Sequence, residues 1–208
     1  MRILAFSDIH EDEAALEALS KISSGFDHIF ICGDSSNSQI FLDGMLKMLS
    51  NSFIIPGNWE SKLINKLLCT KGQCIHKNRA ELGDGLNVVG FGYSNITPFG
   101  TYGELTEEEI YKQMSDLPID ENTLLMLHCP PKGYFDTTPK GDSVGSDSIL
   151  RIIQEKKPLA AFFGHIHEHS GIFELGHTTL IKLPAANTMQ ACAVSITDKK
   201  ISAEFISL

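Results

Sequence analysis

Arg2-Ile3-Leu4-Ala5-Phe6 runs into Ser7-Asp8-Ile9-His10, His28-Ile29-Phe30-Ile31-Cys32 into Gly33-Asp34, and Ser52-Phe53-Ile54-Ile55 into Pro56-Gly57-Asn58. Each is a short apolar run of strand length that stops on small or polar residues and is followed by a helical pattern, which spells a βαβα beginning. In Glu11–Ser23, Ala15, Leu16, Leu19 and Ile22 recur at helical spacing, and Glu11, Asp12 and Glu13 crowd the first turn, where carboxylates suit the helix dipole. Ile40–Leu49 and Lys62–Leu68 repeat the helical theme.

Working outward, a turn-rich stretch leads to a strand at Leu86–Phe91, a helix at Thr106–Met114 with an acidic first turn, and a buried strand at Thr123–Leu127. Pro130–Gly145, rich in Pro and Gly, reads as a long loop, and loops of that length are usually functional or mobile. A helix at Ser146–Lys156 and an apolar strand at Leu159–Phe163 follow. The remainder reads as antiparallel strands: Gly171–Leu175, Thr178–Leu183, Gln190–Ile196 and Lys200–Ser207. No linker divides the chain, so 208 residues are expected to form one domain, an α/β half and a β-rich half giving two stacked sheets flanked by helices.

Composition excludes several classes. Apolar residues make up 42% and charged ones 21%, as in globular proteins. A formal net charge of −9 argues against long nucleic acid as a partner. Met1–Phe6 is too short for a signal peptide and no apolar run could span a bilayer, so the expected location is the cytoplasm, with no membrane partner. Five cysteines without a regular framework read as buried or inert reduced thiols.

The polar residues of interest stand where strands stop: Asp8-Ile9-His10, Gly33-Asp34, Gly57-Asn58, His128 and Gly164-His165-Ile166-His167. In α/β architectures the carboxyl ends of strands line the functional crevice, so these side chains can converge although far apart in sequence. Singly, each has a plain explanation: Asp8 and Asp34 as turn caps, Asn58 as a turn, His128 as a core or loop histidine. His165 and His167, alternate residues of an extended segment, would present both imidazoles to one side. His28, His76 and His177 lack such placement and read as structural or solvated. Together, two Asp, one Asn and four His at strand ends point to a binuclear metal centre. Mixed imidazole and carboxylate ligation suits Mn, Fe, Zn or Ni better than Mg or Ca. Two divalent ions would also turn the local field positive, so an anionic phosphoester could bind.

The order Asp-x-His, Gly-Asp, Gly-Asn, His, Gly-His-x-His resembles the calcineurin-like metallophosphoesterases from Asp8 to His167. His128-Cys129-Pro130-Pro131, Val144-Gly145-Ser146, Lys157-Pro158 and Gly164-His165-Ile166-His167-Glu168 resemble, more narrowly, a prokaryotic branch of predicted phosphoesterases. The resemblance implies a four-layer αββα sandwich of two mixed sheets and two divalent transition metal ions, Mn favoured. It assigns Asp8, His10 and His167 to one ion and Asn58, His128 and His165 to the other, with Asp34 bridging. Asn58 would be catalytic as well, its amide N–H directed at the phosphate or at a neighbouring protein group. The implied substrate is a small phosphoester, and the oligomeric state is left open.

The resemblance breaks at two places. Gly57-Asn58-Trp59-Glu60 carries Trp where the best-known family pattern has a His that helps the leaving group, and an indole N–H gives up no proton at neutral pH. Trp59 is therefore read either as packing at the cleft edge or as a substrate-binding platform. His169, placed like His167 on an extended segment, is a candidate replacement acid. Leu183-Pro184-Ala185-Ala186 also departs from the Asn-Pro-Gly-Ser of many relatives. The expected activity is a binuclear-metal-dependent phosphoester hydrolase favouring phosphodiesters or activated esters. The alternative is a catalytically weak metal-binding scaffold or regulatory protein on the same fold.

Overall fold

A computed structural model describes residues 1–208. Nine strands and five α-helices occupy the chain up to Phe163: β1 (Arg2–Phe6), α1 (Glu13–Ser23), β2 (His28–Cys32), α2 (Gln39–Met48), β3 (Ser52–Ile55), α3 (Lys62–Leu68), β4 (Arg79–Gly83), β5 (Leu86–Phe91), the two-residue strands β6 (Ser94–Asn95) and β7 (Glu104–Leu105), α4 (Glu107–Ser115), β8 (Thr123–Leu127), α5 (Asp147–Lys156) and β9 (Ala160–Phe163). Four strands complete it: β10 (Gly171–Leu175), β11 (Thr178–Lys182), β12 (Gln190–Thr197) and β13 (Lys200–Ser207).

They form two mixed sheets, ordered β13-β12-β1-β2-β3 and β10-β11-β9-β8-β5-β4, and a small β6-β7 pair. Strand period decides the layering, because alternate side chains of each strand go to opposite faces. Ile3 and Ala5 of β1, Phe30 and Cys32 of β2, and Leu124 and Met126 of β8 meet in one core between the sheets. Their neighbours Leu4, Phe6, Ile29 and Ile31 face α1–α3, while Leu125 and Leu127 face α4 and α5. The result is the expected αββα sandwich. Both faces of the inner strands are buried, which is why they read as unbroken apolar runs. Across the central core the Phe30 and Phe162 rings meet edge to face, centroids 5.2 Å apart, a pairing worth about 0.5–1.5 kcal/mol beyond burial.

Two sequence readings need correction, and two more gain detail. The last strands are not one antiparallel unit: β11 runs parallel to β9 in the second sheet, whereas β12 returns to pair antiparallel with β1 in the first. Glu11 and Asp12 lie outside α1; Asp12 caps it by accepting from Ala15 N, and Glu11 has left-handed backbone, φ 63°. Cys69, at the C-cap of α3, is exposed and Cys74 half-buried; only Cys32, Cys129 and Cys192 are buried. Finally, Pro130–Gly145 is tied down from within, because buried Asp136 accepts from Gly133 N, Ser143 Oγ and Gly145 N.

Candidate metal centre

β1, β2 and β3 run parallel in one sheet, and β5, β8 and β9 in the other. Their carboxyl ends open at the same edge of the sandwich: His128, just past β8, bonds through Nδ1 to the carbonyl of Cys32 at the end of β2, 2.9 Å away. The turns beyond β1 and β2 are zipped together by Asp8 N to Gly33 O, His10 N to Asp34 O and Glu11 N to Ser35 O.

The approach is so close that the glycine before each motif residue is dictated by space. A Cβ on Gly33 would stand 2.4 Å from His128 Nδ1, one on Gly57 would stand 2.0 Å from Asp34 Oδ1, and one on Gly164 would stand 2.5 Å from Asp8 Oδ2. The polar residues themselves are strained: Asp8, His10, Asp34 and His165 have φ of 55°, 47°, 51° and 72°. Left-handed non-glycine backbone costs about 1–3 kcal/mol per residue and gathers where function needs it.

Two clusters result, Asp8 with His10 and His167, and Asp34 with His128 and His165, the donor atoms in each lying within 4.8 Å of one another. Asn58 joins the second, with Oδ1 3.0 Å from His128 Nε2. All seven predicted ligands therefore come together. The reason given for the His165-x-His167 pair does not hold, since Ile166 N turns back to Gly164 O and the segment is not extended. Instead the left-handed turn at His165 sends the two rings to different clusters.

Hydrogen-bond direction tests whether these residues fit metal ions. His128 Nδ1 donates to Cys32 O, so Nε2 carries a lone pair. That lone pair faces Asn58 Oδ1 at 3.0 Å, His165 Nδ1 at 3.1 Å and Asp34 Oδ1 at 3.3 Å. One shared proton cannot satisfy so many acceptors, whereas a cation can. In the other cluster the buried Asp8 Oδ1 has no hydrogen-bond partner, although His167 Nε2 stands 3.2 Å away. The donor set fits divalent ions.

The electrostatics agree. Burial raises the Asp8 pKa, but the His167 and His128 rings and the Lys182 ammonium outweigh it and hold the carboxyl far below its usual range. Burial lowers His165 to about 3, leaving a neutral ring, and also lowers His10. At His128 burial opposes the charged ring, yet the Asp34 and Asp8 carboxylates and the Cys32 carbonyl raise its pKa. Beside the Asp8 carboxylate His167 is raised too.

Other residues brace the site. Glu60, 1% exposed, accepts from Ser35 N at 2.6 Å and Gly57 N at 2.8 Å, spanning the turns that carry Asp34 and Asn58. Burial and the nearby Asp34 push its pKa up to about 7 while the Ser35 amide and the His128 ring pull down. Trp59 N donates to Asp34 Oδ1, and the Trp59 ring meets the His10 ring edge to face, centroids 4.8 Å apart. His169 stands apart from both clusters, exposed, with Nε2 3.1 Å from Thr137 O. His76 is buried and accepts from Gly92 N, a structural role as expected. Sequence reasoning missed Lys182, whose buried ammonium donates to Leu183 O and has its pKa lowered by burial to about 8. A lysine inside the apolar run Thr178–Leu183 was the available signal.

Comparison with known proteins agrees with this geometry. The family model for the calcineurin-like phosphoesterases matches residues 1–169. An uncharacterized protein of Methanocaldococcus jannaschii is 29% identical over 192 residues, 87% of each chain. Among solved structures, a Thermus thermophilus protein superposes with a TM-score of 0.74 at 16% identity, covering 98% of this chain and 97% of its own. A Danio rerio dimetal phosphatase does so with a TM-score of 0.70 at 10% identity, covering 100% and 96%. No helix is long and apolar enough to cross a membrane.

Proposed function

The chain belongs to the calcineurin-like phosphoesterases, a family of metal-dependent hydrolases, and on that premise we propose that it is a two-metal phosphoesterase favouring phosphodiesters and activated esters. The observation that carries the reading is the convergence of lone pairs: Asp34, Asn58, His128 and His165 in one cluster and Asp8, His10 and His167 in the other, with the buried Asp8 Oδ1 left unpaired. When bound, two divalent ions, Mn favoured, supply a nucleophile from water at neutral pH and neutralise charge on the phosphoryl oxygens. Asp34 reaches both clusters, its Oδ1 3.3 Å from His128 Nε2 and its Oδ2 3.8 Å from His10 Nε2, which suits a bridging role. The zebrafish dimetal phosphatase of the same fold is in keeping with this.

The protein's own groups shape the preference. Departure of an alkoxide needs a proton, and no imidazole stands free beside the clusters to give it: His10 and His167 belong to the ligand set, and His169 is turned to Thr137. Trp59 offers an indole edge, 36% exposed at the mouth, which can stack or wall a leaving group without protonating it. Esters whose leaving groups depart as anions need no such acid. Small phosphoesters are the proposed substrates and the cytoplasm the proposed location. Metal analysis of purified protein with a panel of esters tests this. Two ions per chain and faster turnover of nitrophenyl diesters than of alkyl monoesters are expected; fewer ions, or the reverse preference, overturns it.

A further inference from the structure

The segment from β6 into β7 carries none of the sequence motifs, yet it reaches the cluster of Asp34, Asn58, His128 and His165, the inner of the two, the outer being Asp8, His10 and His167. Asn58 Nδ2 donates to Thr101 Oγ1 at 2.8 Å. Thr101 Oγ1 in turn donates to Glu104 Oε1 at 2.6 Å, and the same oxygen accepts from Thr101 N at 2.8 Å and from Thr97 Oγ1. A carboxylate only accepts, so the direction of every proton is fixed: Glu104 takes the hydroxyl proton, the hydroxyl must accept, and the Asn58 nitrogen must be the donor. The amide oxygen is left pointing at His128 Nε2. Two further contacts hold the segment in place. Gly103 N reaches Asn58 O at 3.4 Å, and a Cβ on Gly103 would stand 2.5 Å from Gly57 O.

An asparagine ligand can present the wrong atom of its amide. Turned over, it would offer an NH₂ group, which repels a cation. A carboxylate lacks this ambiguity, and Cys32 O fixes the tautomer of the neighbouring His128. We propose that Thr101 and Glu104 are positioning residues that lock the Asn58 amide with its oxygen toward the inner ion. The inference rests on the two-metal reading above. The hydrogen bonds Glu104 receives also hold its pKa below the usual carboxylate value against burial, in keeping with a permanent acceptor.

The test titrates Mn²⁺ by calorimetry into wild type and into a His167→Ala background, where only the inner cluster is complete. Thr101→Val keeps shape and removes the hydroxyl; inner-ion affinity is expected to fall about 10–100-fold, the usual cost of losing a partner that orients a metal ligand. Thr101→Ser is expected to recover it to within about threefold. Glu104→Gln, which disturbs the acceptor without touching Thr101, is expected to weaken the inner ion in the same direction and serves if Thr101→Val does not fold. In the otherwise wild-type protein the outer ion should bind unchanged. Equal inner-ion affinity in Thr101→Val or Glu104→Gln and wild type, with two ions bound by wild type, overturns this proposal alone. A wild type that takes up one ion or none overturns the two-metal reading and this proposal with it.

Discussion

The two halves of the proposed metal centre are built on different terms. In the inner one His128 is fully buried, its tautomer set by a carbonyl, its neighbour Asn58 held by Thr101, and Asp34 held by the amide of Trp59. In the outer one the side chains of His10 and His167 are 24% and 43% exposed, and His10 rests against the Trp59 ring. Asp8 alone is anchored there, through Oδ2 to the amide of His165 at 3.0 Å. Ligands aimed before the ion arrives lose little freedom when it binds, so the inner half is suited to a retained ion. The outer half, open to water, is suited to exchange and to the entry of substrate oxygens.

The sharpest break of this contrast is at the residue the halves share. Asp34→Asn should weaken both ions and lower hydrolysis by more than about 100-fold, beyond the usual cost of losing an outer partner of a metal ligand, while His28→Ala leaves turnover nearly unchanged. Undiminished activity of chelator-treated Asp34→Asn would refute the shared ligand. Single truncations should then separate the halves. His128→Ala should lose the inner ion and destabilise the metal-free protein by about 2–5 kcal/mol, the range for large-to-small changes at fully buried sites. His167→Ala should lose the outer ion with little change in denaturant unfolding; equal destabilisation by the two would erase the distinction.

Proton linkage gives a smaller effect. Because the pKa values of His128 and His167 are raised in the metal-free protein, each ring holds protons to higher pH than a free imidazole, and each must shed them to bind an ion. Ion uptake at pH 7 should therefore release protons, and affinity should fall by up to about tenfold per pH unit per proton as pH drops through the raised values. Calorimetry in buffers of different ionisation enthalpy measures it; a buffer-independent heat would contradict it. The smallest change is expected at the rim. Both Glu60 oxygens are engaged by backbone amides, so no carboxylate stands ready to orient a new ring at position 59. Trp59→His should raise alkyl-ester hydrolysis by less than about tenfold, well short of the roughly 10²–10⁴-fold of a tuned acid. A full-sized gain would show that another group orients the imidazole.

The layers and the crevice were legible because each inner strand is an apolar run that stops on a polar residue, and that abruptness survives without knowledge of partners. β4 escaped notice because Arg79-Ala80-Glu81-Leu82-Gly83 is an edge strand with most of its residues at the surface and little apolar signal. The destination of β12 escaped because the apolar pattern says which residues of a strand are buried, not which sheet receives it. At the site, residue types and spacing brought the right side chains forward. Their aim depends on left-handed backbone at Asp8, His10, Asp34 and His165, which no local pattern announces. Thr101 and Glu104 sit in a segment without periodicity and matter only through one contact with Asn58.

The return of β12 to β1 also governs the order in which this molecule can be made. β1 lies between β2 and β12, with Arg2 opposite Ser195 and Ala5 opposite Cys192. Its first neighbour emerges from the ribosome soon after it, its second long afterwards. Until then one side of the strand that leads to Asp8 is an open edge, a surface prone to pairing with other chains. So distant a pairing also slows closure, because the entropy of a very long loop must be overcome before the ladder forms. The edge of the crevice beyond β1 stays open in a nascent chain until the hairpin of β12 and β13 arrives, so uptake of any ion is expected to follow that pairing rather than guide it.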